Sequence, residues 1–207
     1  MNTQTKHKVR VDIRITGIES AVVYAPFNEA LEALTGEGYD VISLAQNAQL
    51  RIQQGKDSYI SRNGNWTREG VLYVPQKGIF LTKNSPIMVN AKQATACHRK
   101  GKEFYLNDEQ AEQALQDSVK LSGESIPTNR FSENEITNYA FGEIAEKYGN
   151  FLREAGIKEM PVWFANTQNK PFARQMVFGD LDRSSGLGSY GTGLDLHLGY
   201  RLRGVKF

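Results

Sequence analysis

The feature that most constrains this chain is its C-terminal stretch, residues 177–205, which we call the tail. From Phe178 onwards glycine recurs every few residues, and no helical or strand period is sustained between the glycines. A segment of this kind cannot bury a core of its own, so the rest of the chain must hold it in place. Long loops in compact domains are uncommon and are usually functional when they are ordered. We therefore expect a scaffold that presents the tail.

The N-terminal part of the scaffold is predicted from its hydrophobic periods. Residues 8–15 alternate, with Val9, Val11, Ile13 and Ile15 on one face and polar residues, including Asp12, on the other. This period of two predicts a half-buried strand. Residues 21–24 favour a second strand, and residues 28–34 favour a helix. A further helix is indicated by residues 44–52, and Gly55 is placed to end it.

The middle of the chain reads as a hairpin followed by helices. Residues 71–74 and 79–82 are β-prone, and the turn residues 75–78 between them predict a hairpin. Residues 108–121 favour a helix. A second helix is predicted from Ser132 to Gly156, because Ser132 and Glu135 have the spacing of a capping box. Pro161 then precedes a short strand over 162–165. With no internal repeat and no linker, we expect one domain over residues 1–207.

Composition excludes several classes of function. The formal net charge is only +2 and the charged residues are interspersed, so nucleic acid is not an expected partner. The single cysteine, Cys97, excludes an internal disulfide and a thiolate zinc site. No apolar run is long enough to insert into a membrane, and the first ten residues lack the apolar core of a signal peptide. We expect a protein that is cytoplasmic or associated with a virion.

The candidate chemical residues give little support for catalysis or for a cofactor. Cys97 is expected to be a buried structural thiol. Asp180, Asp182 and Asp195 could supply oxygen ligands, but the calcium-binding signatures of sugar-binding lectins are missing, so no metal is expected. His197 lies near Asp195 without a nucleophile or a second base, which favours an exposed polar pair.

The tail carries a second unusual feature, which is the absence of five residue types. Between Phe178 and Val205 there is no Lys, Glu, Gln, Met or Trp. These five make up about a fifth of ordinary proteins, and they are the residues that no codon ending in a pyrimidine encodes. Mutagenesis directed at adenines in template codons such as AAC yields only the remaining residue types. The gap is therefore typical of a segment diversified in that way.

In its C-terminal position, its restricted residue types and its closing Arg203-Gly204-Val205-Lys206, the tail resembles the variable region of proteins diversified by retroelements. Residues 171–178 resemble the framework strand that leads into such a region. The resemblance implies an α+β, C-type-lectin-like fold of the branch shared with formylglycine-generating enzymes, with at least two helices and irregular antiparallel β-structure. The chain looks most similar to the variable proteins of archaea and their viruses.

The resemblance also implies a function, namely the display of varied side chains to a protein or cell-surface ligand, with no catalysis. The positions expected to contact that ligand are Gly179, Asp180, Asp182, Arg183, Ser185, Ser189, Tyr190, Thr192, Asp195, His197, Gly199 and Tyr200. The alternative is a small enzyme or a fixed virion or structural component with an undiversified glycine-rich loop.

The tail must be fastened to the scaffold, and its apolar residues are the expected anchors. These are Leu187, Leu194, Leu202 and Val205. Phe178 and Trp163 are expected to be buried in the scaffold. Both the alternating N-terminal strand and the strand-like end of the chain need partners. We therefore predict that residues 9–15 and 202–207 lie close together.

Overall fold

The computed structural model describes residues 7–123, 125–181, 186–188 and 196–207. Its α-helices are α1 Phe27–Gly36, α2 Leu44–Gln54, α3 Tyr59–Arg62, α4 Pro86–Val89, α5 Ala91–Arg99, α6 Asp108–Leu115, α7 Glu135–Phe141 and α8 Ala145–Glu154. Its strands are β1 Arg10–Ile15, β2 Ile18–Ala25, β3 Asp40–Val41, β4 Asn65–Val74, β5 Gly78–Thr82, β6 Phe104–Tyr105, β7 Ser118–Lys120, β8 Ile126–Pro127, β9 Glu159–Met160, β10 Val162–Trp163, β11 Phe172–Phe178, β12 Leu187–Gly188 and β13 Tyr200–Lys206. Two 3₁₀ helices, Thr128–Glu133 and Gly142–Ile144, flank α7.

One large mixed sheet organises these elements. Its strand order is β1-β2-β13-β4-β11-β12-β10, with β3, β5, β6 and β7 attached at its sides, and β8 and β9 form a separate pair. Most neighbours are antiparallel, whereas β4 and β13, and β10 and β12, pair in parallel. The hairpin of β4 and β5 forms at the predicted turn. The α+β class predicted from the sequence is confirmed.

The two ends of the chain lie in the same sheet, as predicted, with β2 between them. β2 pairs with β1 on one side and with β13 on the other. The alternation predicted Asp12 on the polar face of a half-buried strand, but its side chain is only 7% exposed. The register of β1 shifts between Val11 and Ile13, and the Asp12 carboxylate accepts two hydrogen bonds from the guanidinium of Arg203, at 2.6 and 2.7 Å. A bulge of this kind turns a side chain out of the regular alternation.

The core is built around buried aromatic residues. Trp66 packs edge-on against Phe27 with ring centroids 5.3 Å apart in one cluster. Phe178 packs against Phe141 and Tyr148 in a second cluster, so its predicted burial is confirmed. Trp163, in contrast, is 40% exposed, and the prediction of its burial is wrong. The strand β10 ends at Trp163, and its alternation directs Val162, not Trp163, towards the core.

The predicted helix over 108–121 is shorter than expected. It ends at Leu115, and the Ser118 hydroxyl donates to the Leu115 carbonyl at 2.9 Å. Ser118–Lys120 then pairs with β5 as β7. The apolar period does not show whether residues 118–120 continue the helix or form a strand. The tertiary structure decides this, because the edge of β5 gains backbone hydrogen bonds from an extended neighbour.

The predicted helix from Ser132 to Gly156 is divided into two. The side chain of Asn134, not Ser132, accepts hydrogen bonds from the first backbone N–H groups of α7, so the predicted capping box is wrong. Gly142 has a φ of 55° and ends α7 before α8 begins. Only glycine adopts this conformation readily, which explains why the helical period continues while the helix does not.

Candidate ligand-binding face

The structure describes part of the tail, and the predicted contact positions divide accordingly. Gly179, Asp180, His197, Gly199 and Tyr200 lie in the described residues. The others, Asp182, Arg183, Ser185, Ser189, Tyr190, Thr192 and Asp195, together with the predicted anchor Leu194, lie outside them. The described parts of the tail are residues 177–181, which include the end of β11, residues 186–188, which include β12, and residues 196–205, which run into β13.

Arg51 of helix α2 holds the start of the tail. Its guanidinium donates to the carbonyl oxygen of Gly179 at 2.7 Å and to the hydroxyl of Tyr148 at 3.3 Å. The same group lies over the ring of Phe178, 4.0 Å from the ring centroid. Within the described residues this fully buried cation has no carboxylate partner. Its charge is therefore balanced by a carbonyl dipole and a π-face.

A second attachment lies at β12. The N–H of Gly179 donates to the carbonyl of Gly186 at 2.8 Å, and the N–H of Leu187 donates to Pro161 at 3.0 Å. Leu187 is fully buried, so this predicted anchor is confirmed. A β-carbon at Gly186 would lie 2.5 Å from the carbonyl oxygen of Pro161, so only glycine permits this approach.

The third attachment is Leu196, a buried residue of the tail that was not predicted as an anchor. Its carbonyl accepts a hydrogen bond from the N–H of Phe27 at 2.7 Å, at the start of α1. Its own N–H donates to Nδ1 of the buried His98 at 3.3 Å. His98 thus has a structural role at the tail. Its neighbour Cys97 is half-buried, less than expected for a core thiol.

Tyr200 joins the tail to the core. Its ring packs edge-on against Trp66, with centroids 5.3 Å apart, and burial raises the pKa of its hydroxyl. A β-carbon at Gly64 would lie 2.8 Å from that hydroxyl, so the glycine makes room for it. Of the other described contact positions, Asp180 and His197 are half-buried and Gly199 is exposed. The anchors Leu202 and Val205 are buried as predicted.

Beside Tyr200, two tyrosine side chains lie next to each other with an arginine stacked on each, in a row that the sequence patterns did not predict. We call it the Tyr/Arg ladder, and its members are Arg10, Tyr59, Tyr24 and Arg201. Arg10 lies over the ring of Tyr59 at 5.5 Å from the centroid, and Arg201 lies over that of Tyr24 at 4.9 Å. Tyr24 and Tyr59 are 51% and 37% exposed. Desolvation is the main cause that raises the pKa of Tyr24, and the nearby Tyr59 adds to it.

Sequence signals for these missed residues exist but are weak. Arg51 lies seven residues after Leu44, and two helical turns of about 3.6 residues bring it back to the buried face of α2. Tyr24 alternates with buried neighbours in β2. No local pattern brings Tyr59 of α3 next to β2, since that contact depends on tertiary packing.

The described residues offer little for metal or acid–base chemistry. In these ranges, no three His, Cys, Asp or Glu side chains come together as a metal-binding group. Burial raises the pKa of Glu69, but its side chain lies in the interior, where the N–H of Leu44 donates to it at 3.0 Å. None of the described helices has the length and apolar character needed to cross a bilayer.

The chain matches no protein-family model and no curated protein. A solved structure from work on the accommodation of massive sequence variation in Nanoarchaeota by the C-type lectin fold is similar, with a TM-score of 0.67. The similarity covers 93% of this chain and 99% of the other at 14% sequence identity. The protein therefore has a C-type lectin fold, as the resemblance of the tail implied.

Proposed function

We propose that this protein is a ligand-display protein, a single domain over residues 1–207, whose tail is diversified by adenine-directed retroelement mutagenesis. Its ligand is a protein or another cell-surface molecule, and it performs no catalysis. The contact surface is formed by the twelve tail positions predicted above, from Gly179 to Tyr200. The C-type lectin fold supplies the scaffold, and the similar nanoarchaeal structure concerns the same fold as a carrier of sequence variation.

The observation that carries the proposal is how the tail is attached. Its described backbone is held at Gly179 by Arg51, at Leu187 by Pro161, and at Leu196 by Phe27 and His98. Each of these holding groups comes from the scaffold, outside residues 177–205. A display surface needs this division, because side chains between the attachments can then change without loss of the backbone path. Backbone held in this way also lowers the entropy cost of binding.

The proposal is tested by sequencing the natural locus across many cells or isolates. We expect substitutions concentrated in codons of the tail, and an imperfect repeat of the tail's coding sequence beside a reverse transcriptase gene, with changes that map to template adenines. Codons of β4, a buried framework strand, serve as the internal control and should be invariant. Equal variation in both sets of codons, or none in either, would favour the fixed component or small enzyme.

A further inference from the structure

We propose that the Tyr/Arg ladder is a fixed docking surface for an acidic segment of the protein that this chain binds. This inference rests on the proposed display function. It adds a second binding site, whose residues are not expected to vary, and says that the partner is acidic there. Arg10, Tyr24 and Tyr59 lie outside the tail, and Arg201 is not among the positions expected to vary. The ladder therefore has the same composition in every variant of the tail.

The sheet register places the ladder beside Tyr200, one of the tail positions expected to contact the ligand. Arg201 pairs with Tyr24 across β13 and β2, and Tyr200 pairs with Ala25 one position closer to the tail. Arg201 also lies over the ring of Tyr200, 5.7 Å from its centroid, and donates to the carbonyl of Gly64 at 3.4 Å. The ladder is therefore in contact with Tyr200, one of the positions expected to bind the ligand.

The charges of the ladder favour an acidic partner. In the part of the chain that the structure describes, neither Arg10 nor Arg201 has a carboxylate within ion-pair distance. Stacking on a tyrosine ring uses the face of a guanidinium and leaves its edge for hydrogen bonds. Arg201 directs one Nη towards the carbonyl of Gly64, and a further N–H of either arginine can donate a charge-assisted hydrogen bond to a carboxylate. The carboxylate of Asp180 adds to the effect of burial in raising the pKa of the Tyr200 hydroxyl, and Asp180 is one of the positions expected to vary.

The residue types favour a protein over a nucleic acid. Tyrosine and arginine are the residues that most often dominate protein–protein binding energy, since they offer large contact area together with polar groups. A nucleic-acid surface requires a wider cluster of cations to neutralise several phosphates. The ladder contributes two cations, and the whole chain has a formal net charge of only +2.

The test uses the full chain and a fluorescently labelled poly-glutamate peptide, with binding followed by anisotropy at low ionic strength. We expect saturable binding that weakens with added salt. Arg201→Met should weaken it about tenfold, equivalent to about 1.4 kcal/mol, and Arg10→Met should have a similar effect. Tyr24→Ala should weaken it severalfold with no change in charge, because Arg201 loses the ring on which it stacks. Arg130→Met is the control, since it removes the same charge from an exposed site that pairs with Glu133.

The outcomes separate the alternatives. Equal losses for Arg201→Met and Arg130→Met, with none for Tyr24→Ala, would overturn the proposal, because binding would then follow net charge alone. Binding of poly-lysine, or of single-stranded DNA as tightly as poly-glutamate, would overturn it as well. Thermal melts of each variant establish that it is folded. The locus sequencing described above fails or succeeds independently of this assay, so the two proposals are tested separately.

Discussion

The guanidinium of Arg51 donates to the carbonyl oxygen of Gly179 at 2.7 Å, which ties helix α2 to the first residue after the framework strand β11. Arg51 is completely buried, and its stacking on Phe178 places the cation directly under the start of the tail. A buried arginine is costly unless its donors are used. A buried charged side chain thus fixes the position of one backbone carbonyl, at the point where the tail leaves β11.

Arg51→Met should release this carbonyl. The substitution keeps a long apolar stem but removes the donors to Gly179 and Tyr148, and we expect a loss of about 1–3 kcal/mol in the free energy of unfolding. Amide exchange at Leu181, whose N–H donates to Ser61 at 2.8 Å, should accelerate more than exchange in β2. Denaturant unfolding and hydrogen exchange measure both effects. Arg99→Met, an exposed change on α5, is the control, and equal effects of the two variants would contradict the assignment.

The ion pair of Asp12 and Arg203 should be essential for holding together β1 and β13, the strands at the two ends of the chain. Both side chains are nearly inaccessible, so Asp12→Ala leaves an uncompensated buried cation and should cost about 3–5 kcal/mol in unfolding free energy. The double variant Asp12→Ala with Arg203→Met removes that charge and should recover part of the loss.

The control for this pair is Asp57→Ala, which breaks the exposed pair with Arg62. An exposed pair contributes about 1 kcal/mol or less. Denaturant melts of the three variants test the comparison. A double variant that is less stable than Asp12→Ala alone would show that the destabilisation does not come from the unpaired charge.

Simultaneous substitution in the tail should be tolerated. Replacement of Asp182, Ser189, Thr192 and Asp195 by alanine should change the free energy of unfolding by about 0.5 kcal/mol or less per position. Phe178→Ala, in contrast, truncates a fully buried ring and should cost about 3–5 kcal/mol. Urea unfolding compares the two. If the multiple variant fails to fold while Phe178→Ala is stable, the tail belongs to the core and the display proposal is wrong.

Two aromatic residues refine that comparison. Trp163→Ala should cost less than Phe178→Ala, because Trp163 is 40% exposed. Tyr200→Ala should lower the free energy of unfolding more than any one of the four alanine substitutions in the tail, because its ring packs on Trp66. Tyr200 is therefore best left out of any library that varies the tail, or replaced only by another aromatic residue.

Glu69 should make stability depend on pH. Burial raises the pKa of its carboxyl in the folded protein above the ordinary value of 4.5, against the lowering effects of the Leu44 N–H, the Thr67 hydroxyl and Arg68. The folded state then binds the proton more tightly than the unfolded state. This contribution is fully present below the unfolded pKa and is lost as the pH rises through the folded pKa.

Glu69→Gln removes the titration and retains an oxygen that can accept from Leu44. The stability of the wild type relative to this variant should therefore fall as the pH rises above about 4.5. Denaturant melts at several pH values measure the difference, with Glu112→Gln, an exposed change on α6, as the control. A difference that stays constant with pH would contradict the prediction.

Local patterns in the sequence predicted much of the framework. The alternation before Ile15, the turn residues between β4 and β5, and the helical period from Leu44 to Gly55 each produced the expected element. These patterns depend on neighbours within a few residues, which hydrophobic period and turn chemistry specify directly. The C-type lectin fold itself was inferred from the composition of the tail and its similarity to a known family, since no period in the chain specifies that topology.

The sequence by itself determined that apolar residues such as Leu187 and Leu202 would anchor the tail and that Phe178 would be buried, because burial of apolar surface stabilises any fold that allows it. Only the tertiary structure decided where the buried polar groups lie. Asp12 faces inward because Arg203 reaches it from a strand at the other end of the chain, and Arg51 is buried because Gly179 and Tyr148 accept its hydrogen bonds. A polar side chain is stable in the interior only beside a partner, and these partners lie far away in the sequence.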